Sequence, residues 1–339
     1  MYSTIIGSPG IGKTHFSLYI AFYITRRYSP ADIIYQQPIG NKTLTLHISQ
    51  QNMSVIEYSR GLIGEFLPDS FYIADSVVPN SLCKMKYKFL VTTPKNLRWH
   101  DFVKTYPRKY YASIWTKEEI FAVWNDQHRT KIPESRVNEL ITRWGCIPRR
   151  VFDEYDDEPD IKDVVSQCDV YKFLKNDGGD LEDDYSGKVI HIIPGPDFTT
   201  KTYVPASVEI CEALYRYYEN HTKDTIINVI RSFVGGAGGT LSGNFFEMLA
   251  HDVLRKGGKF KIRRLTHDNL KQPEQGLDLQ GLELNRYDDV QEINSGYYNF
   301  PKIKNFESVD AIAPQRNGSH HLYQITTAGK HDVKVNIHS

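Results

Sequence analysis

The sequence predicts an α/β protein in two parts. A parallel sheet of the phosphate-loop NTPase kind carries a helical lid over residues 1–155. A lid end and connector over 156–240 lead to a smaller α/β domain of restriction-endonuclease-like layout over 241–339. Three observations predict this. A Gly-rich loop ending in Lys-Thr stands between a strand and a helix near the start. An apolar strand ending on Asp75 is followed by a second apolar strand. Late in the chain, a helix carrying Glu247 precedes strands carrying Asp310 and a Gln324-Ile325-Thr326 triplet.

The first element is Gly7-Ser8-Pro9-Gly10-Ile11-Gly12-Lys13-Thr14, which fits G-x-x-x-x-G-K-[ST] at every fixed position. Glycines let the backbone curl so that successive N–H groups point at phosphate oxygens. Lys13 is expected to reach the β- and γ-phosphates, and the Thr14 hydroxyl to bind Mg²⁺. The flanking pattern agrees. Tyr2 to Ile6 reads as a strand, and His15 to Arg27 as a helix with its positive end toward the phosphates. The cofactors expected are therefore ATP and Mg²⁺.

The second element is Phe71-Tyr72-Ile73-Ala74-Asp75, with Asp75 as the acidic magnesium partner through water; the alternative is a turn aspartate after a short strand. Tyr87 to Thr92 follows as a strand, and Thr92 or Thr93 is a candidate γ-phosphate contact. No Glu stands beside Asp75, so no water-activating base is visible and slow hydrolysis is expected. Strands and helices are expected to alternate through residue 100. Beyond that the pattern turns helical. Thr116 caps a helix with Glu118 and Glu119 in its first turn, and Pro133 to Trp144 forms another, closed by Gly145. Arg149 opens a further helix from which it can reach the γ-phosphate; a surface basic pair, Arg149-Arg150, is the plainer alternative.

These segments together resemble the ATPase module of Crinkler-type effectors and the related retrotransposon-hotspot proteins of trypanosomatids. The matching stretches are GSPGIGKT (7–14), FYIADS (71–76), FLVTTPKNLRWHDFVK (89–104), IWTKEEI (114–120) and RWGCIPRRVF (143–152). They cover roughly the first half of the chain, in the same order. Trp-Thr-x-x-Glu and Gly-x-x-Pro-Arg make the likeness more specific than a phosphate loop alone. Cys146 stands where the family pattern has a second glycine, and the Crinkler translocation segment is absent. The resemblance implies a nuclease-like domain after the ATPase and a role in the nucleus, of a host cell if the protein is secreted.

Asp153 to Asp160 and Asn176 to Asp184 are acidic stretches that read as solvated loops. Val189 to Ile193 reads as a strand and Ser207 to Tyr218 as a helix. Gly235 to Gly239 lacks a following Lys-Ser/Thr, so it reads as a flexible entry to the next domain. There, Asn244 to Arg255 is a helix, Lys259 to Leu265 a strand, and 297–301, 309–313 and 321–327 are later strands. Restriction-endonuclease chemistry needs two acids around Mg²⁺ to orient water against a phosphodiester, with a lysine nearby. Glu247 and Asp310 are the candidate metal ligands, with Gln324 in a weaker supporting place; Thr326 stands where the lysine is expected. YQITTAGKH (323–331) is similar to the same stretch of the Crinkler and hotspot nuclease domains. Equally, Glu247 with His251 can be a paired helix face, and Asp310 a strand-end acid. Lys259, Lys261, Arg263 and Arg264 form either a DNA-backbone strip or a solvated strand.

Bulk properties narrow the choice. The 339 residues are 40% hydrophobic and 24% charged, with 41 basic and 41 acidic side chains. Contact with DNA must then come from a local patch, because the whole chain supplies no attractive field. Cys83, Cys146, Cys168 and Cys211 are widely spaced, which argues for reduced thiols in an intracellular setting rather than disulfides or zinc. No signal peptide or membrane span is visible. Only Met1 to Ser3 stand ahead of the strand core Thr4-Ile5-Ile6, and eight residues follow His331, so more chain is expected at the N-terminus and a shortened fold at the C-terminus. Two functions remain open: an ATPase coupled to a Mg²⁺-dependent DNA nuclease, or a nucleotide-switched DNA-binding module without cleavage. A decayed, transposon-related copy is the third possibility.

Overall fold

A computed structural model describes residues 2–28, 31–49, 52–55, 69–79, 85–94, 107–177, 186–264, 273–301, 309–314 and 320–327. The chain divides into two compact units, Met1–Leu241 and Ser242–Ser339.

In the first unit, strand β1 (Tyr2–Gly7) runs into the 7–14 loop and helix α1 (Lys13–Arg27). Then come β2 (Ile33–Ile39), β3 (Lys42–Ile48), β4 (Met53–Val55), β5 (Phe71–Asp75), β6 (Tyr87–Thr92) and β7 (Arg108–Ala112). They form one sheet in the order β4-β3-β2-β5-β6-β1-β7. β2, β5, β6, β1 and β7 are parallel, with α1 between β1 and β2, while β3 is antiparallel to β2 and β4 to β3. All five residues of the central strand β5 are buried, as a strand covered on both faces requires. α1 packs Ala21 and Ile24 onto Ile33, Tyr35, Phe71 and Ile73.

Two expectations are corrected here. Strand–helix alternation does not run through residue 100, because β2 and β3 are joined as a hairpin at Gly40-Asn41. Gly40 takes φ +54° there, the left-handed backbone a two-residue hairpin turn needs. The chain does not turn wholly helical after residue 100 either: β7 pairs parallel with β1, Gly7 lying opposite Ala112.

Helices α2 (Lys117–Val123) and α3 (Glu134–Trp144) follow, each with the start its sequence specifies. Thr116 and Glu119 close a reciprocal capping box on α2. Gly145 ends α3 at φ +74°, where a Cβ would meet His191 and the Ala206 carbonyl. Arg149–Asp153 forms one π-helical turn. Residues 156–240, expected as lid end and connector, are folded within the first unit. They hold α4 (Ile161–Ser166), α5 (Val170–Lys175), α6 (Ser186–Val189), the hairpin of β8 (Ile190–Pro194) with β9 (Lys201–Pro205), α7 (Val208–His221) and α8 (Lys223–Phe233).

The acidic 153–160 stretch is not simply solvated. Glu158 is only 13% exposed and accepts from Arg143 at 2.8 Å, Trp144 Nε1 at 2.6 Å and Arg136 at 2.9 Å. Burial opposes ionisation, but these three donors outweigh it and hold the carboxyl below its usual range. Asp177 likewise pairs with Lys201 at 2.7 Å, and Lys201 lies over the Tyr111 and Tyr203 rings. Residues 178–184 of the second acidic stretch lie outside the described residues.

In the second unit, helix α9 (Gly239–Lys256) starts earlier than expected, at the last glycine of the Gly-rich run, and reaches into this unit from residue 242. β10 (Gly258–Ile262) pairs with β11 (Gln275–Leu279). β12 (Glu283–Tyr287), β13 (Tyr297–Pro301), β14 (Ala311–Pro314) and β15 (His320–Tyr323) form a sheet in chain order, β12 parallel to β13 and the rest antiparallel. Its core is small: Tyr298, Ala311 and Ala313, with Leu254 of α9, Leu282, Phe300 and Tyr323 against them.

Candidate nucleotide site

The 7–14 loop leaves the C-terminal end of β1 where neighbouring connections diverge. The chain passes from β1 toward β2 on one side, and β7 lies on the other, which is the crevice where open α/β sheets bind ligands. Gly10 takes φ +82° and Gly12 φ +90°, so left-handed residues flank Ile11 and the backbone curls into an anion-binding nest. α1 then begins directly at Gly12, whose carbonyl accepts from Phe16 N. Lys13 is buried, and its Nζ donates to the Ser8 carbonyl at 2.7 Å, holding the cation over the loop. The Thr14 side chain is exposed at the helix start.

Asp75 ends β5, separated from β1 by β6 alone, and is 1% exposed. Register sets Asp75 beside Val91, Val91 beside Ile5, and Thr92 beside Ile6, so all reach the same end of the sheet as the loop. A hydroxyl bridge joins the two sides. Ser17 Oγ donates to the Thr14 carbonyl at 2.7 Å and meets Tyr35 Oη at 2.8 Å; Tyr35 Oη lies 3.4 Å from Asp75 Oδ2. Burial pushes the Tyr35 phenol up to about 12, so it stays protonated. Ser76, at φ +55°, turns the chain away and donates to Asp75 Oδ1 at 3.2 Å. Ser17 and Tyr35 were not singled out from the sequence. Ser17 follows the motif by one helical turn, which was the available signal; Tyr35 carries none.

Among the described residues, the Thr92 and Thr93 hydroxyls are buried with no hydrogen-bond partner. Buried unpaired hydroxyls cost free energy, and these two stand at the end of the strand next to the loop. The nest, Lys13 and these hydroxyls are the donors that would meet phosphate oxygens, and the Thr14 hydroxyl and the Asp75 carboxylate are the oxygens that would meet a magnesium ion.

The segment after β7 closes on the loop. Trp115 Nε1 donates to the Ile11 carbonyl at 3.0 Å, and Arg149 N to the Gly10 carbonyl at 3.3 Å. Ile192 N, on β8, donates to Ser8 Oγ at 3.0 Å. A Cβ on Gly10 would come within 2.9 Å of Ile147 Cγ2 and 3.0 Å of Arg149 Cβ, so only glycine fits. The Arg149 side chain is exposed while its stem lies against Gly10.

In the second unit the dispersed candidates come out differently. α9 faces the sheet: His251 Nδ1 bonds Tyr298 Oη at 2.7 Å, and Glu247 Oε1 lies 4.0 Å from His251 Nε2. Burial, with the Arg286 charge adding to it, lowers the His251 pKa to about 4, so the ring is neutral beside Glu247. Asp310 precedes β14 and its Oδ2 accepts from Ile325 N at 2.5 Å. Gln324 is not on a strand as expected: β15 ends at Tyr323, and Gln324 is exposed in the coil beyond it. Among the described residues no group of three or more His, Cys, Asp or Glu side chains could hold a metal ion. Glu247, through His251, and Asp310 both face Tyr298. Lys330, the alternative cation, lies outside the described residues. On the β10–β11 pair, Glu274 accepts from Arg263 at 2.6 Å and lies 3.7 Å from Lys261 Nζ, which offsets part of the basic strip.

No described helix is long and apolar enough to cross a membrane. Cys146, Cys168 and Cys211 are free thiols; Cys83 lies outside the described residues. Compared with protein-family models, with curated proteins and with solved structures, the chain matches none.

Proposed function

We propose that the Met1–Leu241 unit binds ATP with Mg²⁺ and hydrolyses it slowly. The observation that carries this reading is the 7–14 loop: a Gly10/Gly12 nest closed by Lys13, opposite a buried acid at the same end of the sheet. Backbone amides and the α1 N-terminus attract the phosphates, and Lys13 exchanges the Ser8 carbonyl for a phosphate oxygen. Thr14 and Asp75 would hold the magnesium, which neutralises phosphate charge when bound. Thr92 and Thr93 supply unpaired hydroxyls, and Arg149, rooted at Gly10, supplies a cation for the γ-phosphate. Ser76 follows Asp75, so no carboxylate base adjoins it and turnover is slow. Calorimetric titration tests this: Lys13→Ala loses at least tenfold in ATP affinity, about 1.4 kcal/mol. Equal affinity in wild type and variant would remove the reading.

For the second unit, the observations favour a nucleotide-switched DNA-binding module over a nuclease. Asp310 accepts from the Ile325 amide, Gln324 lies beyond the end of β15, and Thr326 stands where the charge-stabilising lysine of metal-assisted hydrolysis is needed. The exposed Lys259 and Arg264 are the groups offered to a phosphate backbone. A role in the nucleus accords with DNA as partner. Plasmid nicking with Mg²⁺ or Mn²⁺ tests the choice, and nicking abolished by Glu247→Ala would restore the nuclease.

A further inference from the structure

The Trp115 segment is conspicuous in the sequence, yet nucleotide binding as described above gives it no part. Its indole is nevertheless spent on the phosphate loop. Trp115 Nε1 donates to the Ile11 carbonyl at 3.0 Å, while Trp115 N donates to the Cys146 carbonyl at 3.2 Å. The turn after α3 supplies Arg149 N to the Gly10 carbonyl at 3.3 Å. Neither bond uses a group that phosphate would need, since both take up carbonyls.

A trans peptide unit is planar, and its C=O points opposite to the N–H of the next residue. Holding the Gly10 carbonyl therefore sets the direction of the Ile11 N–H. Holding the Ile11 carbonyl sets that of the Gly12 N–H. Gly10 and Gly12 are the two left-handed residues of the loop, and glycine is the residue whose backbone turns most freely. Peptide planes flanked by glycines are the ones that need an outside anchor. Ile147 and Arg149 crowd Gly10 so closely that a Cβ there would clash at 2.9 and 3.0 Å, so the anchor and the loop are fitted to one another.

We propose that Trp115 is a positioning residue that, with the Arg149 backbone, grips the outer carbonyls of the loop and so aims the Ile11 and Gly12 amides at a diphosphate. This rests on the nucleotide-binding reading of the loop. The grip acts on the part of the ligand that ADP and ATP share, whereas the Arg149 side chain acts on the γ-phosphate. Nucleotide affinity and closure of the 114–152 segment are then linked, each strengthening the other.

The test is Trp115→Phe, which keeps an aromatic ring and deletes the N–H. Titration calorimetry with ADP, ATP and inorganic pyrophosphate is expected to show all three affinities falling together, by about 3- to 10-fold, the worth of one neutral hydrogen bond. Arg149→Ala is expected to weaken ATP alone. A merely structural Trp115 would lower the melting temperature without moving affinity at temperatures where the variant is folded. Unchanged ADP and pyrophosphate affinity in folded Trp115→Phe would overturn the proposal. If that variant does not fold, the wild-type indole N–H decides by NMR: exchange protection with and without ADP supports the grip, and rapid exchange in both overturns it. Wild-type protein that binds neither ADP nor ATP would instead show that the underlying reading is wrong.

Discussion

The two units treat their candidate chemistry in opposite ways. In the first, the polar groups around the loop are held by others while the Thr92 and Thr93 hydroxyls are left without partners: Lys13 on Ser8, Ser17 between Thr14 and Tyr35, Asp75 between Tyr35 and Ser76, and three donors on the outer loop. In the second, Glu247 stands beside a neutral histidine, Asp310 caps the Ile325 amide, and Gln324 is exposed off the strand. A site built from one contiguous motif carries its geometry in local backbone rules, while a site built from three distant residues depends on how a small sheet is registered.

Acid should affect both units, and separating their responses sharpens the contrast. His191 in the first unit and His251 in the second are buried, and burial lowers each pKa to about 4. In the unfolded chain each takes up a proton near pH 6.5. Between those values the unfolded chain binds more protons, so stability falls as pH drops from 6.5 toward 4, by on the order of 3 kcal/mol per histidine. All four tryptophans precede residue 145, so their fluorescence follows the first unit alone, and hydrogen exchange follows the second. With its smaller core, the second unit is expected to open at the higher pH. Simultaneous opening would show that the units are not independent in stability.

Function should divide the same way. Asp75→Ala is expected to lower Mg²⁺-dependent phosphate release about 100-fold, ~2.7 kcal/mol, with Glu247→Ala within about twofold of wild type. Equal losses from both variants would erase the distinction between the units. Asp75 is 1% exposed and faces Tyr35, so circular dichroism must accompany the rate measurement.

What could be read in advance follows from where the information sits. Phe71–Asp75 and Tyr87–Thr92 are apolar runs bounded by turn residues, and α3 is marked by its apolar spacing and by Gly145. β7 was hidden because Arg-Lys-Tyr-Tyr-Ala has a polar start and gains its pairing only from β1. The β2–β3 hairpin rests on the two residues Gly40-Asn41 alone, a signal too short to stand out against apolar runs. Glu158 reads as one more acid in a charged run, and only the arrival of Arg136, Arg143 and Trp144 from α3 makes it a hub. The loop's residues were legible one by one; the grip on its carbonyls was not, because a backbone acceptor leaves no trace in composition.

The smallest expected effect probes whether the two halves of the nucleotide site are joined by the Tyr35 hydroxyl. Ser17 Oγ donates to the Thr14 carbonyl, and so accepts from Tyr35; when the Ser17 proton swings to Tyr35 instead, the phenol is released toward Asp75 Oδ2. One hydroxyl pair thus has two proton arrangements, one supporting the helix start that carries Thr14 and the other supporting Asp75. Both residues are the proposed magnesium contacts. Tyr35→Phe keeps the buried ring against Ile33 and Phe71 in the core and deletes the bridge together with the Tyr35 Oη contact to Gln37 Oε1 at 3.3 Å. The Mg²⁺ concentration for half-maximal phosphate release should rise about threefold, near 0.7 kcal/mol, the low end of one hydrogen bond. ADP affinity in the presence of EDTA should stay as in wild type, because the bridge does not touch the amides. A fall in that metal-free affinity would mean that Tyr35 supports the loop itself, and that Asp75 and Thr14 are held in place separately.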